Sequence, residues 1–379
     1  DMDQFSDFTD GIDRTISTTL ALVRMMSKML RDENIGPYIV PIIPDEARTF
    51  GMDGLFSQAG IYSPDGQNYE PVDAGTISPY KEAKDGQILQ EGICEAGALA
   101  SFMAAGTAYS HFQLPMIPIY IFYSIFGMQR VGDMVWACGD AMTKGFLIGG
   151  TAGRTTLNGE GVQHQDGHSH VLASIVPNMM TYDPAFAYEL AVIMQDGIKR
   201  MYQDKEDIFY YITVYNENYT HPAMPDDSRE GILNGMYCFK EASESLIKKF
   251  KGKPIHLLGS GSLMQEVIEA QETLEGEGIP TYIWSVTSYN LLHRDYRDSK
   301  NSEKKSYIES ILEDHDGHFL SVSDWVTLLP DSISHLFPGG LTTLGTDGYG
   351  LSETREALRD HFGISVKSIV KKAKGLLSN

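Results

Sequence analysis

Residues 116–123 (MIPIYIFY) restrict the possible folds most strongly, because they are almost continuously apolar. A strand with one solvent-exposed face alternates apolar and polar residues, whereas a strand of a parallel sheet is covered on both faces. Residues 39–43 and 145–150 have a similar character, and stretches of helical spacing lie between such runs. This alternation predicts an α/β fold with two doubly wound, mainly parallel sheets and helices on both faces of each.

The chain is long enough for two domains. Its 379 residues include 42% hydrophobic side chains, which is sufficient for two buried cores. Residues 220–230 (THPAMPDDSRE) combine two prolines with acidic residues and have no apolar period, as is typical of an interdomain linker. We therefore expect one domain at residues 1–225 and a second at residues 226–379.

Several stretches lead to more local expectations. Apolar residues between positions 16 and 30 repeat at helical spacing behind Asp13, which predicts a helix that starts after this residue. Asp183, followed by Pro184, is interpreted as another helix start, and residues 287–305 as a polar connection. Residues 60–87 have no period and are too long for an ordinary connection, which predicts an irregular excursion, with a mobile lid as one possibility.

Charge and cysteine content exclude several classes of partner and site. The formal charge of −21 repels phosphate backbones and anionic lipids, so neither nucleic acid nor a membrane surface is expected to bind. No apolar run approaches the ~20 residues that span a bilayer. The three cysteines are far apart in the sequence, which argues against a disulfide framework or a zinc site and favours a reducing, cytoplasmic location.

Residues 149–170 (GGTAGRTTLNGEGVQHQDGHSH), called the histidine segment below, are the strongest candidate for a functional loop. The segment has no hydrophobic period, and its glycines allow a backbone to approach a ligand closely. The alternative is a polar surface loop with histidines at helix ends. Metal ligation is disfavoured because the spacing lacks the His-Glu-x-x-His pattern of a helix. We expect its ionisable side chains to converge on one pocket: Glu160, His164, Asp166, His168 and His170.

Acidic and aromatic residues elsewhere extend this candidate site. Glu46, Glu95 and Glu160 lie at or near predicted strand ends or helix starts, where a carboxylate withdrawn from water can hydrogen-bond a protonated ring nitrogen. Tyr123 and Phe126 flank a strand-to-helix turn and are suited to stack on a flat heterocycle. Taken one at a time, each of these residues also fits an ordinary role as a helix cap, a surface acid or a core aromatic.

Several long phrases of the sequence together resemble the homodimeric pyruvate dehydrogenase family. The phrases are PDEARTFGM (44–52), QILQEGICEAGA (87–98), LPMIPIYIFYSIFGMQRVGD (114–133), GTAGRTTLNGEGVQHQDGHSH (150–170) and NENYTHPAMP (216–225). A further phrase, LGTDGYGLSETREALRDHF (344–362), is similar to the C-terminal domain of that family. The resemblance covers nearly the whole chain. It implies a thiamin-diphosphate-dependent decarboxylase with a pyrimidine-binding domain followed by a transketolase-like C-terminal domain.

The resemblance also implies roles for individual residues. It implies that Glu95 hydrogen-bonds the aminopyrimidine ring of thiamin diphosphate, which activates the thiazolium carbon, and that Phe126 packs on this ring. Four polar positions match those near the reacting carbon, where His164 is expected to stabilise a developing alkoxide. These positions are Glu46, Tyr123, Glu160 and His164. Gln165 stands where the family usually has an acid, and no metal ligand is expected from this chain.

The same resemblance implies which components lie outside the sequence. The family's diphosphate domain, with the Gly-Asp-Gly and Asn pattern that holds Mg²⁺, has no counterpart here, nor has the segment that docks the acetyltransferase. We therefore expect a homodimer or a partner chain with a diphosphate domain, and no activity without that domain. Dihydrolipoyl acetyltransferase is the expected partner and pyruvate the substrate. Transketolase-type two-carbon transfer and a non-catalytic assembly role are the alternatives.

Overall fold

Six parallel strands form the first sheet, and the apolar run MIPIYIFY provides a central one. The computed structural model describes residues 5–45, 47–302 and 304–378. All neighbouring strands of this sheet are parallel. Every residue from Ile117 to Phe122 is buried, so both faces of this strand are covered, as its continuous apolar pattern predicts. In spatial order the strands are Leu89–Gln90, Ile39–Ile43, Ile117–Tyr123, Phe146–Gly150, Phe209–Thr213 and Met179–Tyr182.

Helices connect these strands, as parallel pairing requires. Glu95–Gly106 packs against both Ile39–Ile43 and Ile117–Tyr123, and it also contacts the helix Met128–Asp140. The helix Ala187–Ile198 is buried along most of its length and continues into a π-helical turn at Lys199–Gln203. The remaining α-helices of this part are Ser6–Thr9, Thr18–Met29, Phe56–Ala59, Ala108–Phe112 and Ser169–Ala173.

The second sheet has five strands, four of which are mutually parallel. Met236–Lys240 pairs antiparallel with its neighbour at one edge. The predicted fold class, two mainly parallel α/β sheets, is therefore confirmed. In spatial order the strands are Met236–Lys240, Thr281–Val286, Ile255–Gly259, His318–Val322 and Leu341–Leu344. The accompanying helices are Ser228–Asn234, Glu244–Ile247, Met264–Gly276, Tyr289–Ser299, Tyr307–Ile311, Leu328–Asp331, Arg355–Phe362 and Val366–Leu376.

The predicted helix start at Asp13 and the predicted linker are both wrong in part, for one shared reason. Ile12–Ile16 is a strand that pairs antiparallel with Tyr219–His221, so the first part of the expected linker lies in a small sheet. The helix begins only at Thr18, because the Ser17 side chain accepts a hydrogen bond from the Leu20 amide at 3.1 Å. A strand pairing between distant segments has no local sequence signal.

Two expectations in the middle of the chain are also wrong. The predicted polar connection contains the helix Tyr289–Ser299, which Ser288 caps by accepting from the Leu291 amide. Asp183 does not start a helix, since the next one begins at Ala187. The Asp183 carboxylate is instead buried and accepts hydrogen bonds from neighbouring side chains. A mostly polar amphipathic helix and a buried acid are both easily misread from sequence.

Residues 60–87 are mainly irregular, as predicted, with two short strands inside them. Ile61–Tyr62 and Glu82–Ala83 pair in parallel. Asp73 fixes the segment between them, because its carboxylate accepts from the Tyr80 amide at 3.0 Å and forms an ion pair with Arg48. A lid function for this excursion stays a prediction.

One hydrophobic cluster spans the two sheets, and a second cluster lies mainly in the C-terminal half. One cluster of buried side chains includes Ile148 of the first sheet together with Leu257 and Ile283 of the second. Glu189 lies in this contact, where Tyr237 Oη and Ser285 Oγ donate to its Oε1 at 2.7 and 2.6 Å. Buried acids with several donors specify a fixed contact between the two halves. The predicted boundary near residue 225 stays a prediction.

Cys94, Cys138 and Cys238 are all free thiols. Burial raises the pKa of Cys138 to about 11, so this thiol is not a reactive thiolate at neutral pH. Within the described ranges, no helix is both long and apolar enough to cross a bilayer.

His256 is a buried histidine within the second sheet. Its ring stacks between Tyr282 and Phe319, with centroids 4.6 and 4.4 Å away, and Trp284 Nε1 donates a hydrogen bond to its Nδ1 at 3.1 Å. Burial lowers the pKa of His256 from 6.5 to about 4. The folded protein therefore holds this ring neutral at a pH at which the unfolded chain protonates it.

This lowered pKa predicts a stability change between neutral and mildly acidic pH. The contribution of neutral His256 is fully present above about pH 6.5 and is lost as the pH falls towards 4. His256→Gln should flatten the decrease in unfolding free energy between about pH 7 and about pH 5 by on the order of 2 kcal/mol. Urea unfolding at both pH values measures the unfolding free energy, and the His361→Gln variant, at an exposed position, is the control. Parallel profiles for wild type and His256→Gln would contradict the prediction.

Candidate active site

The candidate residues gather where strands of the first sheet end. Tyr123 is the last residue of its strand, and Phe126 lies in the turn Ser124–Phe126 that follows. Glu95 is the first residue of a helix. The histidine segment begins within the neighbouring strand Phe146–Gly150 and continues beyond its carboxyl end. Open parallel sheets bind ligands at this edge, because loops and helix N-termini meet there.

Glu95 is held beside an aromatic ring by an arginine. Only 12% of the Glu95 side chain is exposed, and its Oε1 accepts from Arg130 Nη1 at 3.1 Å. The Arg130 guanidinium lies over the face of Phe126, 3.9 Å from the ring centroid. A carboxylate, a planar cation and an aromatic face are therefore in contact.

His164 approaches the same aromatic group from the histidine segment. Its ring centroid is 5.1 Å from that of Tyr123 and 5.8 Å from that of Phe126. Glu160 Oε2 lies 3.0 Å from His164 Nδ1, and Phe50 supports the Tyr123 ring at 5.5 Å. We call the following set the Glu95–His164 cluster: Glu95, Tyr123, Phe126, Arg130, Glu160 and His164.

The expectation that five ionisable residues of the histidine segment converge on one pocket is wrong. Glu160 and His164 form a pair, but Asp166 is buried and accepts from Ser124 Oγ and from the amide of His168 at 2.9 Å. His168 Nε2 lies 2.8 Å from Gln129 Oε1. Asp166 therefore stabilises the conformation of the loop from its buried side. Glu46, also expected in the site, falls outside the described residues.

His170 belongs to the core between the sheets. Its ring meets Trp325 edge-on at 4.6 Å, and its Nε2 lies 2.9 Å from Thr213 Oγ1. Burial lowers the pKa of His170, and the nearby Asp183 opposes this effect. The side chain is a packed, neutral-favouring histidine rather than part of the Glu95–His164 cluster.

Asp324 lies two residues beyond the strand His318–Val322 of the second sheet and holds the start of the histidine segment. This buried carboxylate accepts from the amides of Arg154 and Thr155 at 3.0 and 3.1 Å and from Thr155 Oγ1 at 2.8 Å. Burial raises the pKa of Asp324 to about 6. Gly153 adopts φ +87°, and a Cβ there would collide with this carboxylate. The glycine thus leaves room for the Asp324 side chain and not for a ligand.

Further contacts hold the rest of the segment on the C-terminal part of the chain. The Gln165 side chain accepts from the Leu351 amide at 2.8 Å and donates to the Leu351 carbonyl at 2.9 Å. Asn158 Oδ1 accepts from the Arg355 amide at 2.9 Å. Gly161, at φ +76°, leaves room for Ser352. The histidine segment is consequently supported from both halves of the molecule.

Arg130 and Asp324 are the important residues that the sequence reasoning missed. Arg130 follows Phe126 by four residues, the spacing at which side chains meet along a helix turn, and this was the available signal. Asp324 gave no signal, since its contact joins segments far apart in the chain. Among the described residues, no group of three or more His, Cys, Asp or Glu side chains is arranged to hold a metal ion.

Comparison with known proteins decides the family. The family model for the pyruvate dehydrogenase E1 component middle domain matches residues 1–222. The chain belongs to the pyruvate dehydrogenase E1 component family. The model for the transketolase-like C-terminal domain matches residues 235–365 of this family member.

Curated relatives of this E1 family member are similar over almost the whole chain. The pyruvate dehydrogenase E1 component of Pseudomonas aeruginosa is 50% identical over 97% of the chain and 42% of the relative. That of Escherichia coli K12 is 48% identical over 96% of the chain and 42% of the relative. The chain spans less than half the length of these relatives.

Solved structures at low sequence identity share the fold of this E1 family member. Leishmania mexicana transketolase has a TM-score of 0.74 at 15% identity, covering 99% of this chain and 47% of that chain. Campylobacter jejuni transketolase has a TM-score of 0.70 at 17% identity, covering 96% of this chain and 47% of that chain. A chain titled as a split-gene transketolase, inactive β4 tetramer, has a TM-score of 0.63 at 16% identity, with 96% of this chain and 98% of that chain covered.

The Asp324 contact predicts coupling between the second sheet and the histidine segment. Asp324→Ala leaves buried amides without an acceptor and should lower the unfolding free energy by about 2–5 kcal/mol. Amide hydrogen exchange of residues 154–168 should accelerate more than that of either sheet, because their anchor is lost. Exposed Asp298→Ala is the control. Unchanged exchange in the segment would show that Asp324 does not anchor it.

Proposed function

We propose that this chain supplies the pyrimidine-binding half of a thiamin-diphosphate site that decarboxylates pyruvate. The observation that carries the proposal is the contact of Glu95 with a planar nitrogen cation that lies on the face of Phe126. Membership of the pyruvate dehydrogenase E1 component family and identities near 50% to proteins of that name support it. In this proposal residues 1–225 form the pyrimidine-binding domain and residues 226–379 the transketolase-like domain.

The residues present fit an aminopyrimidine ring. Such a ring, when protonated, is flat and presents N–H donors, and the Glu95 carboxylate with the face of Phe126 already accommodates a group of that chemistry in Arg130. Glu95 is sheltered but not fully buried, so a ligand can reach it. When bound, thiamin diphosphate supplies a carbon nucleophile and an electron sink for the cleaved bond.

Each residue of the Glu95–His164 cluster has a role in this proposal. Glu95 holds a proton on the pyrimidine ring by accepting a hydrogen bond, and Phe126 fixes the plane of the ring. His164, whose Nδ1 lies 3.0 Å from Glu160 Oε2, donates to the oxygen of the 2-oxo group, where negative charge develops. Tyr123 forms the wall beside His164. We assign Glu46 to the substrate side on the strength of the sequence resemblance alone.

The proposal includes further components besides the Glu95–His164 cluster. Mg²⁺ and the diphosphate would be held by a diphosphate-binding region that meets this cluster, in an assembly that is a homodimer or that contains a partner chain. The two-carbon fragment left after loss of carbon dioxide would be oxidised to an acetyl group as it is transferred to the lipoyl group of dihydrolipoyl acetyltransferase, whose disulfide is reduced in the same step. Three free thiols are consistent with the cytoplasmic location that we propose.

We also propose that this chain has no turnover by itself. The solved split-gene transketolase chain covers nearly the same extent of fold, and its title describes it as an inactive β4 tetramer. In this proposal, catalysis requires a diphosphate-binding region in addition to the Glu95–His164 cluster.

The function is tested by combining the chain with a separately expressed diphosphate-binding region, thiamin diphosphate, Mg²⁺ and pyruvate. Carbon dioxide release that needs both polypeptides is the expected result. A stable complex that releases no carbon dioxide would refute the assignment. Two-carbon transfer between sugar phosphates by the same mixture would favour transketolase chemistry instead.

Glu95→Gln provides the sharpest residue-level prediction. The uncharged amide of glutamine cannot accept a hydrogen bond as an anion does. The rate of decarboxylation should therefore fall by about 100-fold or more in the combined system. The rate of carbon dioxide release at saturating pyruvate measures the effect, and exposed Glu244→Gln serves as the charge-matched control. Equal turnover of Glu95→Gln and wild type would instead favour a non-catalytic assembly role.

A further inference from the structure

A buried serine, Ser124, lies between the turn that carries Phe126 and the histidine segment. It is the first residue of the turn Ser124–Phe126, and its side chain is almost completely buried. Its Oγ donates a hydrogen bond to Oδ2 of Asp166, a fully buried carboxylate two residues beyond His164. The serine therefore joins the turn to the loop that carries His164.

The two oxygens of Asp166 hold different parts of the site. Oδ1 accepts from the amides of His168 and Ser169 at 2.9 and 3.0 Å, and so fixes the backbone of the histidine segment. Oδ2 accepts from Ser124, and so fixes this backbone relative to the turn. A buried carboxylate that loses a donor still bears the cost of its withdrawal from water, so this contact resists opening.

A tyrosine and a glycine surround the serine. Tyr211 Oη lies 3.1 Å from Ser124 Oγ and 2.8 Å from Ser169 Oγ, which adds a second connection between the serine and the histidine segment. Gly149 belongs to the strand Phe146–Gly150, and a Cβ at this position would lie 2.9 Å from Ser124 Oγ and 2.7 Å from Tyr211 Oη. The glycine thus leaves space for these two hydroxyl groups.

The two parts that Ser124 joins differ in how firmly the fold holds them. The turn directly follows the buried strand Ile117–Tyr123, which pairs with a strand on each side. The loop that carries His164 is mainly irregular. Loss of the Ser124 contact should consequently displace His164 more than Phe126. A donor misplaced by about 1 Å can lower a rate by up to about 100-fold.

We propose that Ser124 is a positioning residue that, through Asp166, sets the place of His164 relative to Phe126 during the reaction. The inference rests on the proposed thiamin-diphosphate site. In that site Glu95 and Phe126 bind the pyrimidine ring, whereas His164 meets negative charge that develops only as the substrate reacts. Loss of the serine hydroxyl should therefore lower kcat and leave the affinity for the cofactor unchanged.

The test compares two variants that each remove a buried serine hydroxyl from a buried carboxylate. Ser124→Ala removes the donor to Asp166, and the control Ser285→Ala removes a donor to Glu189 in the contact between the sheets. With the diphosphate-binding region present, Ser124→Ala should lower kcat for carbon dioxide release about tenfold. Its dissociation constant for thiamin diphosphate, measured by titration calorimetry, should stay within about twofold of wild type. Ser285→Ala should be destabilised to a similar extent but keep the wild-type kcat.

Two further variants and one measurement without cofactor sharpen the comparison. Ser124→Cys keeps a weak donor, so its kcat should lie between those of wild type and Ser124→Ala. Combining Ser124→Ala with Asp166→Asn should lower kcat about as much as the slower single variant, because residues that act as a unit are not additive. In the chain alone, amide hydrogen exchange of residues 160–169 should accelerate in Ser124→Ala but not in Ser285→Ala.

The outcomes separate the two proposals. Wild-type kcat in Ser124→Ala, an equal loss of kcat in Ser285→Ala, or an equal loss of cofactor affinity would overturn the positioning role and leave the proposed function standing. Absence of carbon dioxide release by the wild-type mixture would overturn the proposed function and the positioning role with it. Circular dichroism of each variant confirms that it is folded, and Ser124→Cys serves for the same comparison if the alanine variant is not.

Discussion

The buried carboxylate of Asp324 is the interaction on which the arrangement of the site depends. It accepts hydrogen bonds from two backbone amides and one hydroxyl at the start of the histidine segment. These hydrogen bonds fix the conformation of a mainly irregular loop. Burial makes this carboxylate expensive to ionise, which its raised pKa reflects, and the donors compensate part of that cost. His164 and Glu160 lie farther along the same loop, and their position relative to Phe126 follows from this anchor.

The two halves of the molecule consequently have different tasks at one edge of the first sheet. Parallel strands bring Tyr123 and Phe126 to the edge, and a helix N-terminus brings Glu95. The C-terminal part contributes no residue of the Glu95–His164 cluster, but it holds the loop that carries His164. The C-terminal half is therefore more than an appendage, because the loop that carries His164 is held at the contact between the two halves.

How far the sequence could predict the structure depended on the range of the interactions. Continuous apolar runs identified Ile39–Ile43 and Ile117–Tyr123 correctly, since a strand buried on both faces needs no distant information. The short strand Tyr219–His221 was mistaken for a linker because its partner lies some 200 residues away. Likewise His170 was grouped with His164, although the fold turns its side chain into the core between the sheets.

By itself the sequence determined the α/β class, the polar loop after a buried strand, and the residues Glu95, Tyr123 and Phe126 as neighbours of that edge. These conclusions follow from periodicity and from the geometry of parallel strands, which are local properties. Only the tertiary structure decided that Arg130 fills the space between Glu95 and Phe126 and that Asp324 anchors the loop. A side chain's partner across the fold is set by how elements pack in three dimensions, and residue spacing along one chain does not encode it.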